Sequence, residues 1–161
     1  MMIIEPMTED TAKKIQTWQY DEPYSLYNLN GDSEVLSELL NGSYFLVTEN
    51  NKLIGYFCFG KSAQVPAGYK ENAYADSFLD FGLGLHPMYT GNGKGLRFVQ
   101  AGLAYAYEKY SGKSVRLTVA SFNKRAKIVY ERAGFTYEQS FLKVSDSGST
   151  TFEVMVKKIG K

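Results

Sequence analysis

The stretch Leu83 to Leu103, LGLHPMYTGNGKGLRFVQAGL, decides how the chain is read. Its centre, YTGNGKGL over Tyr89–Leu96, places glycine at 91, 93 and 95 around Asn92 and Lys94. Backbone this bare, just before a helical pattern, suits an anion, because exposed N–H groups at a helix start attract negative charge and glycine admits a close approach. Downstream, Leu96, Val99, Leu103, Ala106 and Tyr110 recur at helical spacing. Upstream, Ser77–Leu85 reads as an apolar strand that carries Gly82 and Gly84 and ends at His86-Pro87. Glycine weakens a strand unless a bulge or a closely approaching backbone needs the space. The order is strand, glycine loop, helix.

Three phosphate-binding readings of that loop compete with a plain connecting turn. A Walker A loop needs GxxxxGK followed by Ser or Thr, but Met88 stands five residues before Gly93 and Gly95 follows Lys94. A dinucleotide fingerprint needs GxGxxG, whereas here the spacing is GxGxG and no early βαβ unit precedes it. The third reading comes from the neighbouring segments.

The chain has 161 residues, enough for one domain spanning 1–161 with a sizeable core. Its 18 basic and 17 acidic residues leave no excess to mark a nucleic-acid binder, so a phosphate site must be local. One cysteine, Cys58, excludes an intramolecular disulfide, and with the single His86 it excludes a His/Cys metal cluster; no metal is expected. No apolar stretch is long enough for a membrane span or a signal segment, so a cytoplasmic protein with no membrane partner is expected.

Before the glycine loop, Met1–Met7 reads as a strand, with Thr8 as N-cap of a short helix. Asp32–Leu40 is a second helical pattern, and SYFLVTE and LIGYFCF around Asn50-Asn51-Lys52 form a hairpin. Gly60–Asp76 has no clear period and reads as a long loop, either binding or mobile. After the loop and its helix, Ser114–Ala120 alternates as a strand parallel to the one before the loop, since a helix crosses between them. Asn123 opens another helix, Gly134-Phe135 closes it, and Thr136–Val144 with Thr150–Lys158 form a final hairpin.

The run quoted above, followed by RLTVASFNKRAKIVYERAGF over Arg116–Phe135, resembles the core of the GNAT superfamily of acetyl-CoA-dependent N-acetyltransferases. There a bulged fourth strand leads into a [QR]xxGxG or A loop, and a fifth strand into an NxxAxxxYxxxGF helix. Gly93 and Gly95 match the first motif, and Asn123, Ala126, Tyr130, Gly134 and Phe135 the second; Thr90 stands where the family has Gln or Arg. The resemblance implies an α/β fold: a mixed central sheet of about seven strands with flanking helices, splayed between strands four and five.

It also implies a site. The coenzyme pyrophosphate would lie on the loop formed by Thr90, Gly91, Asn92, Gly93, Lys94, Gly95 and Leu96, and its pantetheine arm along the backbone of Leu83 and Leu85, with Gly82 and Gly84 opening the gap. Asn123 and Ala126 would contact acetyl-CoA, and Asn123 is a good N-cap in any case. Lys94 would face phosphate or solvent, while Arg97, Lys124 and Arg125 are surface charges by default. Tyr130 stands at the family's general-acid position, where a phenol of pKa ~10 can pass a proton to a thiolate of pKa ~8.5. Asp80, and secondarily Asp76, would deprotonate the acceptor, unless Asp80 is a hydrogen-bonding strut of its strand, and His86 reads as a turn residue. Trp18–Tyr27 falls at the acceptor-side wall, where tyrosines, Asp21 and Glu22 would hold a cationic amine, or else folds as a lid that packs on the core and touches no acceptor.

The expected activity is direct acetyl transfer from acetyl-CoA to a primary amine, on a small molecule or a protein, by a monomer or homodimer. A non-catalytic acyl-CoA sensor of the same fold is the rival reading, and a nucleotide-binding domain the third.

Overall fold

The computed structural model describes residues 1–75, 77–91 and 93–159. Strand β1 (Met2–Pro6) leads into α1 (Glu9–Ile15), where Thr8 Oγ1 accepts the Thr11 N–H at 3.3 Å. Glu9 and Asp10 in the first turn and Lys13 and Lys14 in the last complement the helix dipole. The tyrosine-rich stretch makes a 3-10 turn at Tyr24–Tyr27 before α2 (Ser33–Leu39). Strands β2 (Tyr44–Glu49) and β3 (Lys52–Phe59) form the expected hairpin, with Asn50 and Asn51 both at positive φ, the backbone a tight two-residue turn requires.

The segment expected as a period-free loop contains two 3-10 turns, Gly60–Ala63 and Pro66–Glu71. Turns this short leave no period in a sequence. They are fastened to the body: the Val65 N–H donates to Tyr74 Oη at 3.0 Å, and Tyr74 lies edge-on to Phe141.

Strand β4 (Leu79–Leu85), a 3-10 turn at Pro87–Tyr89 and α3 (Lys94–Lys109) follow, then β5 (Val115–Ala120), α4 (Lys124–Arg132), β6 (Thr136–Ser145) and β7 (Gly148–Lys157). The seven strands form one mixed sheet in the order β1-β2-β3-β4-β5-β7-β6, with β4 and β5 parallel and the other pairs antiparallel. Helix α3 buries Phe98, Val99, Gly102 and Ala106 against it, so the core centres on Phe57, Phe81, Phe98 and Val99. A smaller cluster of Ala120, Phe141, Phe152 and Val154 lies under Tyr27, Val65 and Tyr74.

Two features place the site. Strands β4 and β5 are joined only at Leu79↔Val115 and Asp80↔Arg116, although β4 continues along β3 to Leu85 and β5 along β7 to Ala120. The sheet is therefore splayed above Asp80. Second, the fourth strand has no bulge in its pairing: the β3–β4 register runs unshifted from Gly55↔Leu85 to Phe59↔Phe81. Gly82 and Gly84 also make room for the neighbouring strand. A Cβ on Gly82 would stand 2.7 Å from the Cys58 sulfur, and one on Gly84 2.3 Å from the Tyr56 ring. These glycines seat side chains of β3, and the gap opens through the lost β4–β5 pairing.

Candidate active site

The loop before α3 ends in Gly93, which caps the helix at φ 84° without a side-chain hydrogen bond. The first N–H groups of α3 thus keep no capping partner from that residue and point out of the helix end. Gly91, also at positive φ, lies beside Arg125: a Cβ there would be 3.0 Å from the guanidinium Nη1. Arg125 is the cation at the loop. Lys94, expected to face a phosphate, is turned away, its ammonium 2.5 Å from Glu49 Oε1 and 5.6 Å from the centre of the Tyr89 ring. Arg97 holds the other oxygen of Glu49 at 3.1 Å. Thr90 turns its hydroxyl back to Pro87 O at 2.9 Å.

A cleft of about 340 Å³ runs from this loop into the splay. Leu83, Leu85, Thr90, Gly91, Gly93, Gly95, Leu96, Asn123 and Ala126 all line it, as does Tyr130, whereas Lys94 does not. Asn92 and Asp76 lie outside the described residues. The backbone of β4 supplies the cleft's polar edge. His86 N donates to Ile54 O at 2.7 Å and Leu79 N to Ser114 O at 2.8 Å, so with alternation along the strand the N–H and C=O groups of Leu83 and Leu85 face the gap. One of them already has a partner, since Tyr20 Oη donates to Leu85 O at 2.7 Å.

A second cleft of about 430 Å³ opens on the other side, among Tyr20, Tyr24, Tyr27 and Tyr56. Leu83, Thr90, Asn123, Arg125 and Tyr130 line both clefts, so the two meet at Tyr130. The Tyr130 ring packs edge-on to Phe135, 6.2 Å between centres. Burial, and then the neighbouring Tyr27, push its pKa well above that of an ordinary phenol, so the hydroxyl keeps its proton. Among the described residues that hydroxyl has no hydrogen-bond partner. Asn123 caps α4, its Oδ1 accepting the Ala126 N–H at 3.1 Å, and its Nδ2 donates to Tyr27 Oη at 3.2 Å.

Asp80 lies below the splay and lines neither cleft. It is 3 % exposed; Arg116 Nε donates to Oδ1 at 2.6 Å, Arg116 Nη2 to Oδ2 at 2.8 Å, and Gln64 Nε2 to Oδ2 at 2.8 Å. His86 is a turn residue, its Nδ1 accepting the Met88 N–H at 3.0 Å, and burial lowers its pKa. The stretch expected as an acceptor wall divides in two. Trp18 is buried against His86, whereas the tyrosines line the second cleft. Asp21 and Glu22 are exposed and outside it, with Glu22 accepting from Ser25 at 2.6 Å. Tyr56, Arg125 and Lys143 line the second cleft without having been singled out for it; only the register Tyr56↔Gly84 gives Tyr56 away, and registers are not written in sequence. Cys58 is buried, and burial pushes its thiol up to about 12.

Among the described residues, no group of three His, Cys, Asp or Glu side chains is placed to hold a metal, and no helix is long and apolar enough to cross a membrane. A splayed mixed sheet with a glycine loop at the helix beside the gap defines an acyl-CoA acyltransferase architecture. The model of the acetyltransferase (GNAT) family matches residues 9–135, and the chain belongs to that family, which uses acetyl-CoA as co-substrate. Solved structures agree in fold. A spermidine N-acetyltransferase SpeG chimera from Vibrio cholerae and hSSAT is 17 % identical, with TM-score 0.73 over 98 % of this chain and 95 % of its own. A GNAT-family acetyltransferase from Bacillus anthracis is 15 % identical, with TM-score 0.73 over 98 % and 94 %; one from Streptococcus pneumoniae is 18 % identical, with TM-score 0.65 over 99 % and 100 %. No curated protein sequence matches the chain.

Proposed function

We propose that the chain transfers an acetyl group from acetyl-CoA to a primary amine by direct attack, with Tyr130 as general acid. The observation that carries this reading is the place of Tyr130, a protonated phenol without a hydrogen-bond partner among the described residues, where the two clefts meet. The donor set fits the coenzyme. The loop amides at the start of α3 and the Arg125 guanidinium suit a pyrophosphate, and the β4 edge at Leu83 and Leu85 suits an extended chain of amides. When bound, acetyl-CoA supplies a thioester whose carbonyl carbon the amine attacks and whose thiolate leaves.

The residues divide the remaining work. Tyr130 donates its proton to the leaving sulfur and regains one, through water in the cleft, from the nitrogen that has formed the new amide bond, and Asn123 holds Tyr27 beside it. Asp80 serves as a strut of the sheet, since its oxygens are taken by Arg116 and Gln64. The acceptor amine accordingly reaches the site already deprotonated by solvent or loses its proton to water in the cleft.

Tyr130→Phe removes one hydroxyl and keeps the ring. Acetyl-CoA affinity should stay near wild type in calorimetry, while the single-turnover rate falls by on the order of 10² or more. Equal single-turnover rates in the two proteins would make Tyr130 a packing residue.

A further inference from the structure

The second cleft has an unusual charge balance for a protein that handles amines. Among the described residues lining it there is no aspartate or glutamate; its charged groups are two cations, Arg125 from α4 and Lys143 from β6. Neither is in an ion pair with a carboxylate among the described residues. Of the carboxylates nearby, Asp80 is held by Arg116 and Glu153 by Lys127 at 2.9 Å, Glu22 accepts from Ser25, and Asp21 is exposed outside the cleft. Arg125 is shared with the loop, lying against Gly91 and over the Tyr24 ring at 4.6 Å. Lys143 lines the second cleft alone.

This lining discriminates between classes of amine. Phenol faces can hold one ammonium before it gives up its proton. A polyamine would bring one or more further ammonium groups into a space whose described lining offers no carboxylate to meet them, beside an ammonium that repels them. An anionic group on the acceptor finds Lys143 instead. Resting on the acetyl-transfer reading above, we propose that the acceptor is a compact monoamine carrying an acidic group, with the acid against Lys143, the apolar body among Tyr20, Tyr24 and Tyr56, and the amine toward Tyr130.

The test uses the full chain saturated with coenzyme A and measures acceptor binding by calorimetry, so that it does not depend on turnover. The probes are two matched pairs, phenylalanine with 2-phenylethylamine and 4-(aminomethyl)benzoate with benzylamine, together with spermidine. At least one acid should bind tenfold or more tightly than its acid-free partner and than spermidine. Lys143→Glu, an exposed substitution that leaves the core untouched, should abolish or invert that preference. The inference is overturned if neither acid gains over its partner, if spermidine binds most tightly, or if the preference survives Lys143→Glu. Thiol release from acetyl-CoA, followed in parallel, separates the two claims. The expected binding order without thiol release sinks the acetyl-transfer reading and leaves the ligand class standing, whereas release with spermidine favoured does the reverse.

Discussion

Asp80 and Arg116 face each other at the last rung joining β4 to β5, both almost wholly buried, with two hydrogen bonds between them. Replacing Asp80 removes the buried carboxylate that both of these hydrogen bonds reach, a loss on the order of 3–5 kcal/mol. Asp80→Asn should lower stability by that order in urea denaturation, while the pH profile of turnover keeps its shape; a changed shape with unchanged stability would restore Asp80 as the base. The sequence offers Asp80 on the right strand, but nothing in it puts a guanidinium 36 residues away onto both oxygens. The cation at the loop is hidden for the same reason. Lys94 is its neighbour in the chain, yet Glu49 takes Lys94, and the fold brings Arg125 beside Gly91 instead. Tyr130 was legible as a position because a motif surrounds it, whereas its meeting of two clefts is a fact of packing.

The glycine loop and α3 act together because the helix starts at a residue in left-handed backbone. At Gly93 a Cβ would meet nothing within 4 Å, so the constraint is φ 84° rather than crowding. A β-branched side chain resists that conformation by about 1–3 kcal/mol, and relaxing it moves the first amides of the helix. Gly93→Val should remain folded by circular dichroism and lose tenfold or more in acetyl-CoA affinity; unchanged affinity in calorimetry would detach the coenzyme from this loop. Elements of this kind were readable from local chemistry: Thr8, Asn123, Asn50-Asn51 and Gly134 each mark a boundary through a cap or a turn. The two 3-10 turns in residues 60–71 were not, being too short to leave a period. Gly82 and Gly84 line the second cleft and also make room for Cys58 and Tyr56 on the neighbouring strand, which no local pattern shows.

Across the whole molecule, Glu49 at the end of β2, one strand in from the edge, fastens the sheet to the first turn of α3. Hydrogen bonds from Lys94, and next Arg97, hold its carboxyl at about 2 against an ordinary 4.5. A carboxyl depressed by folding adds stability above its unfolded pKa and loses it as pH falls through the folded one, so this contribution fades between 4.5 and about 2. Urea midpoints measured down that range should fall less steeply in Glu49→Gln than in the wild type, and parallel curves would show the linkage to be negligible. The strand order could be anticipated from the resemblance, but not that the sheet's two antiparallel halves, β1 to β4 and β5, β7, β6, meet at only two rungs. Mechanically this is a clothes-peg. Its grip is set at the spring, the seam of Leu79, Asp80, Val115 and Arg116, which lines neither cleft. The jaws can therefore be refashioned for new acceptors while the spring stays as it is, and the substitutions that alter how firmly every ligand is held belong to residues that none of them touches.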